Sequence, residues 1–251
     1  MSIDERAAAA VTDDVAASEE TAPGDASARG VPRGRLVGWF VLVGVLATLS
    51  YAGNLADAGD PPADLLYRWS SAIGAAVQYG IILVVVVFLA RGIDRSVLGL
   101  RRPPSWGRAA GLVLAGYATI MVLGVLLNVF LKAGEEQGLV PEEWDPDRAA
   151  PFVANFVVVV TIAPIVEELA YRGVGFAAVR SAWGPTAAVV VTAVAFGLAH
   201  GLVVALPILT LFGLVLAFVR HRSGSVYPSI VLHALFNGVA LIAAVTVAGG
   251  G

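Results

Sequence analysis

Residues 151–172 read PFVANFVVVVTIAPIVEELAYR, and the glutamate pair near the end of this stretch decides how the whole chain is read. Pro151 to Ile165 carries no charge, as a helix crossing a bilayer would not. Glu167, Glu168 and Arg172 then follow with no loop signal before them. From Ala149 to the C-terminus these two glutamates are the only carboxylate side chains. An ionisable group at bilayer depth costs on the order of 3 kcal/mol even on lenient insertion scales, so it faces a cavity or a partner and serves a function. Partners are present. Of the three histidines, His200 and His233 lie in later apolar stretches. Carboxylates and imidazoles sharing a membrane interior point to chemistry or proton handling.

The rest of the composition agrees. A hydrophobic content of 58%, a charged content of 14% and a mean hydropathy of +0.81 exclude an ordinary soluble domain and indicate a polytopic membrane protein. The formal net charge of −3 carries little information, since the distribution of charge matters more than its sum. With no cysteine, disulfides, thiolate metal sites and a cysteine nucleophile are all excluded. Residues 1 to about 30 are rich in Ala, Ser, Asp and Glu and lack aromatics, a composition that cannot offset its ordering entropy and is expected to be disordered. Acidic residues stand where a signal peptide would be basic, so no signal peptide is expected.

A transmembrane helix needs roughly 20 mostly apolar residues. Segments near 36–53, 70–90, 109–131, 151–170, 185–202, 204–219 and 227–248 meet or approach this, with the fourth continuing as helix toward Val179. The expected fold class is all-α: a polytopic integral membrane bundle of about seven helices behind a disordered N-terminal tail. The expected organisation is a cytoplasmic tail over 1–33, N-terminal transmembrane helices over 34–148 and a catalytic membrane region over 149–248. The positive-inside rule orients it. Arg29, Arg33 and Arg35 place the N-terminus in the cytoplasm, and Asp57, Asp60 and Asp64 place the next loop outside. Residues 91–108, with five arginines, fall inside, and the acidic segment 133–147 outside. Arg172, Arg180, Arg220 and Arg222 return the chain inside, leaving the C-terminus outside in a multi-pass cell-membrane protein. These boundaries put Glu167 and His233 near the cytoplasmic face and His200 near the outer one. The mismatch could approach 10 Å at ~1.5 Å of rise per residue. Tilt, an earlier start for the fifth helix or a re-entrant turn at Gly201 would remove it.

Spacing sorts the site residues. Glu168 and Arg172 are four apart, on one helix face, and can pair. Glu167 is rotated about 100° away and escapes that pairing, the condition under which a carboxylate in a partly dry cavity serves as a general base near neutral pH. Phe196 and His200 share a face, as do His233 and Asn237, a pair suited to an oxyanion or a metal. His221, between Arg220 and Arg222, is expected in a loop, solvated and inert. Trp106 and the arginines of 91–108 read as interface anchors and topology determinants.

Glu167-Glu168-Leu-Ala-Tyr-Arg172, Phe196-Gly-Leu-Ala-His200 and His233-Ala-Leu-Phe-Asn237, in this order on successive spans, resemble the three motifs of the CPBP intramembrane protease family. That family comprises type II CAAX prenyl endopeptidases and bacteriocin-processing or Abi-type proteins. The resemblance covers about residues 150–245, and the first three spans carry no comparable signature. It implies peptide-bond hydrolysis within the membrane, in a cavity reached from the cytoplasm. Carried over by residue, it makes Glu167 the base, His200 the group that orients the water or shares its proton, and His233 and Asn237 the oxyanion donors. Such donors are worth ~3–4 kcal/mol each in soluble proteases.

A carboxylate and two imidazoles plus water also make a catalytic zinc set, so Glu167, His200 and His233 are the metal ligands if an ion is used. No HExxH helix is present to preorganise two imidazoles, and the metal-free, glutamate-type reading is preferred. No serine stands in the Gly-x-Ser context of a rhomboid-type site, and no span after residue 94 holds an aspartate for an aspartyl protease. The competing function is a non-enzymatic immunity factor or a proton-coupled transporter using the same residues as a relay. Transporters of that kind often show internal repeats, and none is clear here. Expected partners are membrane lipid and a peptide or protein substrate at the membrane, lipid-modified or not, with no nucleic acid.

Overall fold

A computed structural model describes residues 30–56, 62, 64–131 and 144–248. The first 29 residues of the expected tail, Asp57, Asp60 and the acidic residues up to Glu143 lie outside the described set. Within it, every regular element is helical. Hydrocarbon offers no hydrogen-bond partner, so each long apolar segment must satisfy its backbone internally, and a helix does so. The first three helices are α1 (Arg33–Ala56), α2 (Trp69–Ala90) and α3 (Trp106–Leu131). They expose Val37, Val84, Phe130 and similar side chains, as surfaces solvated by lipid do. Arg35 of α1 donates to the carbonyls of Phe88 and Arg91 at 3.2 and 2.8 Å and ties two helix ends together. At the opposite ends, Arg68 beside Asp64 and Arg148 beside Asp145 hold both carboxyls below the usual carboxylate range.

Residues Pro146–Ala199 form a helical run of 54 residues. Straight, it would be ~80 Å long against ~30 Å of hydrocarbon, so it has to fold back. It does so at Gly184, where φ is 85° and ψ 176°, a conformation open to glycine and costly for any other residue, and Pro185 begins the returning helix. The return brings the Tyr171 and Phe196 rings to 5.3 Å, where an unbroken helix would hold them ~37 Å apart. Along this run lie α4 (Ala149–Val157), a π-helical stretch (Val158–Ile162), α5 (Ala163–Glu168), a second π-helical stretch (Leu169–Gly175) and α6 (Phe176–Ala199), broken at Gly184. The chain closes with α7 (Leu206–Ser223) and α8 (Tyr227–Ala248). Six helical runs among the described residues are long and apolar enough to cross a membrane. The reversal at Gly184 divides the fourth of them into two legs packed against each other.

The fourth span continues as helix past Arg172, as expected, and reaches Trp183 beyond Val179. Arg172, counted among the charges that return the chain inside, has 0% exposure in the core. Arg220 is buried too, donating to the carbonyls of Arg172 and Val97. His221 lies in the last turn of α7 instead of a loop, exposed, with its ring 6.3 Å from that of Phe176. The depth mismatch also disappears. Glu167 precedes the turn at Gly184 by 17 residues and His200 follows it by 16, so both lie ~25 Å along their helices from it.

Candidate active site

Two π-helical stretches bracket Glu167 and Glu168. Such widened turns are rare, concentrate at functional sites and change which way the next side chains face. They also leave carbonyls that need partners, and side chains of other helices supply them. Asn237 of α8 donates to Val159 O at 3.0 Å, Trp39 of α1 to Ala170 O at 3.0 Å, and Arg220 of α7 to Arg172 O at 3.0 Å. Asn237 and Arg220 thus anchor the glutamate-bearing segment at its two ends.

Glu168 faces inward with no exposure. Its Oε1 accepts from Arg172 Nη1 at 2.9 Å, the pairing expected from the i, i+4 spacing, and from His233 Nδ1 at 3.1 Å. Arg172 Nη2 reaches Gly213 O at 2.9 Å. That carbonyl comes within range because α7 lies against α6 closely enough for a Cβ on Gly213 to sit 2.9 Å from Ala193 Cα. Glu168 Oε2 and Arg172 Nε have no hydrogen-bond partner among the described residues.

Glu167 faces elsewhere, as the 100° rotation requires. Its side chain is 14% exposed and lines a cavity of about 200 Å³ with His200, Tyr79 and Ser50. Tyr79 of α2 donates its hydroxyl to Glu167 Oε1 at 2.6 Å. Glu167 Oε2 lies 3.8 Å from His233 Nε2, beyond hydrogen-bond reach. His200 ends α6, where the last-turn carbonyls lack helical partners. Its Nδ1 sits 2.7 Å from Phe196 O, and because a carbonyl only accepts, Nδ1 carries the proton and a neutral ring leaves Nε2 with its lone pair. α1 holds this helix end in place: Ser50 donates to Ala199 O at 2.9 Å and Asn54 to Gly201 O at 2.9 Å.

The expected set is therefore only partly gathered. Glu167 and His200 share one cavity, and His233 is wedged beside Glu167 with its other nitrogen on Glu168. The Phe196 ring packs against both imidazoles, with centroid separations of 4.6 Å to His200 and 5.8 Å to His233. Asn237 is turned to Val159 O and does not line the cavity. Glu167, His200 and His233 do not form a three-donor set for one ion; among the described residues no group of three His, Asp or Glu side chains does. Sequence reasoning missed Tyr79, Ser50, Asn54 and Trp39 entirely. A signal for Tyr79 existed, since Gln78 and Tyr79 are the only polar side chains of α2 beyond its first turn.

The all-helical bundle thus brings a carboxylate and an imidazole to one interior cavity. Residues 149–239 match the family described as Type II CAAX prenyl endopeptidase Rce1-like. The chain is also 21% identical over 215 residues, covering 81% of this chain and 87% of the relative, to the Bacillus subtilis (strain 168) protein named "Putative membrane peptidase YdiL". The match over residues 149–239 and the relative named as a membrane peptidase support a membrane peptidase of the CPBP type. No solved structure matches the chain.

Proposed function

We propose that the chain is an endopeptidase that cuts a membrane-associated or lipid-modified substrate with a water activated by Glu167 and His200. The observation that carries this reading is the cavity that Glu167 and His200 share, with His200 Nδ1 engaged by Phe196 O and its Nε2 left outside that bond. Glu167 is the base. Tyr79 occupies Oε1 and fixes the carboxylate, leaving Oε2 to take the proton of the water. The hydroxide oxygen bonds to the scissile carbonyl carbon, the C–N bond breaks, and the proton passes to the departing amine. His200 accepts the second hydrogen bond of the water and aims it. Glu168 fixes His233 with Nδ1–H toward itself and Nε2 toward the reacting groups, so that an imidazolium there would steady the oxyanion. Asn237 keeps one N–H on Val159 O and has a second to offer.

A zinc-dependent version would draw on Glu167, His200 and His233. Among the described residues these donors do not converge as a set. The membrane is the setting, with the N-terminus in the cytoplasm and the C-terminus outside. The test is comparative membrane proteomics of wild type and Glu167→Gln: precursors uncut only in the variant support the reading, and identical cleavage patterns overturn it.

A further inference from the structure

From Ala72 to Ala90 the only polar side chains of α2 are Gln78 and Tyr79, and both line the cavity that holds Glu167 and His200. The Tyr79 hydroxyl is committed to Glu167. Gln78 is not committed. It is exposed, it is the tenth of 22 residues in its helix, and its amide has no hydrogen-bond partner among the described residues. At that depth a bare carboxamide is costly, and a position serving only lipid would carry an apolar residue, as Val77 and Ile81 do at 57% and 63% exposure. Gln78 stands at the cavity rim with one acceptor and two donor hydrogens directed at no protein group.

The chemistry of the cavity narrows what those groups meet. A carboxamide is complementary to a peptide group, donating to its C=O and accepting from its N–H. Inside an intact helix both peptide groups are already used, so only an extended segment presents them. Charge narrows it as well: the lining has a carboxylate and no Lys or Arg, so a chain-terminal carboxylate would meet no permanent cation there. We infer that Gln78 is a substrate-binding residue whose carboxamide pairs with the backbone of an extended segment, without a chain-terminal carboxylate, delivered to Glu167 and His200 between α1 and α2. This rests on the peptidase reading above.

The test first maps new protein N-termini in membranes from wild type and Glu167→Gln, then uses a peptide spanning one Glu167-dependent cut as substrate for purified full-length protein in liposomes. Gln78→Leu keeps side-chain size and suits the membrane, so insertion of α2 is not weakened. It should raise KM about tenfold, the loss of one hydrogen-bonded pair, with kcat within threefold. Esters are also placed one at a time for the peptide bonds flanking the cut. At least one should cost wild type about tenfold in kcat/KM and cost Gln78→Leu nothing. A KM for Gln78→Leu within twofold of wild type, or ester effects equal in both proteins at every position, overturns the assignment and leaves the peptidase reading standing. Absence of any Glu167-dependent cut overturns that reading, and this assignment with it.

Discussion

Replacing Glu168 by Gln should destabilise the protein far more than a typical polar substitution, and the size of the effect follows from what surrounds it. Glu168 and Arg172 both have 0% exposure, so removing the carboxylate charge strands a guanidinium in the core. Breaking a buried pair from one side costs ~3–5 kcal/mol. The same substitution disturbs His233, whose Nδ1 shares Glu168 Oε1 with Arg172. Arg172→Met should cost a comparable amount, through the uncompensated carboxylate and the loss of the bond to Gly213 O. The double variant Glu168→Met/Arg172→Met should recover much of the loss, because apolar replacement of a whole buried pair is often neutral or stabilising. The coupling energy between the two sites should therefore exceed ~2 kcal/mol. Equilibrium unfolding in mixed micelles, followed by circular dichroism, measures all four corners of the cycle once Glu168→Met is added as the second single variant. Additive effects, or a cost below ~1 kcal/mol for Glu168→Gln, would refute the reasoning and mean that water or another group reaches this pair.

Tyr79→Phe removes one hydrogen bond to a carboxylate, worth ~1.5–3 kcal/mol, so kcat should fall about 10- to 100-fold with KM nearly unchanged; an unchanged kcat would show that Glu167 is placed without it. Gly184→Ala forces a side chain into φ 85° and should cost ~1–2 kcal/mol, read as a lowered unfolding midpoint, whereas an unchanged midpoint would deny that this turn sets the two halves of the site at one depth. Activity should survive exhaustive dialysis against EDTA and phenanthroline; loss on chelation with recovery on added zinc would overturn the glutamate-type mechanism and make Asn237 a support for metal ligands.

Much of this architecture could be read locally. Apolar length alone located the helices, and the four-residue spacing of Glu168 and Arg172 foretold their ion pair and left Glu167 facing elsewhere. What could not be read locally was depth. Arg172 was counted among the charges that return the chain inside because the rule that orients membrane proteins counts charges, and a charge paired in the core counts the same as a solvated one. Gly184-Pro185 was the sequence trace of the reversal, but a single left-handed glycine inside a long apolar run has no periodicity to betray it. Nor could one sequence show that Tyr79 crosses from α2 to Glu167, since nothing in the spacing of α2 names its partner 88 residues away. The turning of Asn237 toward Val159 O likewise depends on the π-helical stretch, which the apolar run 158–162 does not announce.

The most direct test of the central claim is turnover by Glu167→Gln. The substitution keeps the volume and the oxygen that accepts from Tyr79, so the protein should fold and insert as wild type does. Only the basic carboxylate is lost, and general-base catalysis contributes ~10²–10⁴-fold. Purified in liposomes and assayed on a substrate cut by the wild type, the variant should turn over at least ~100-fold more slowly while unfolding at the wild-type midpoint. A rate within about threefold of wild type would contradict the assignment of Glu167 as the base that activates water.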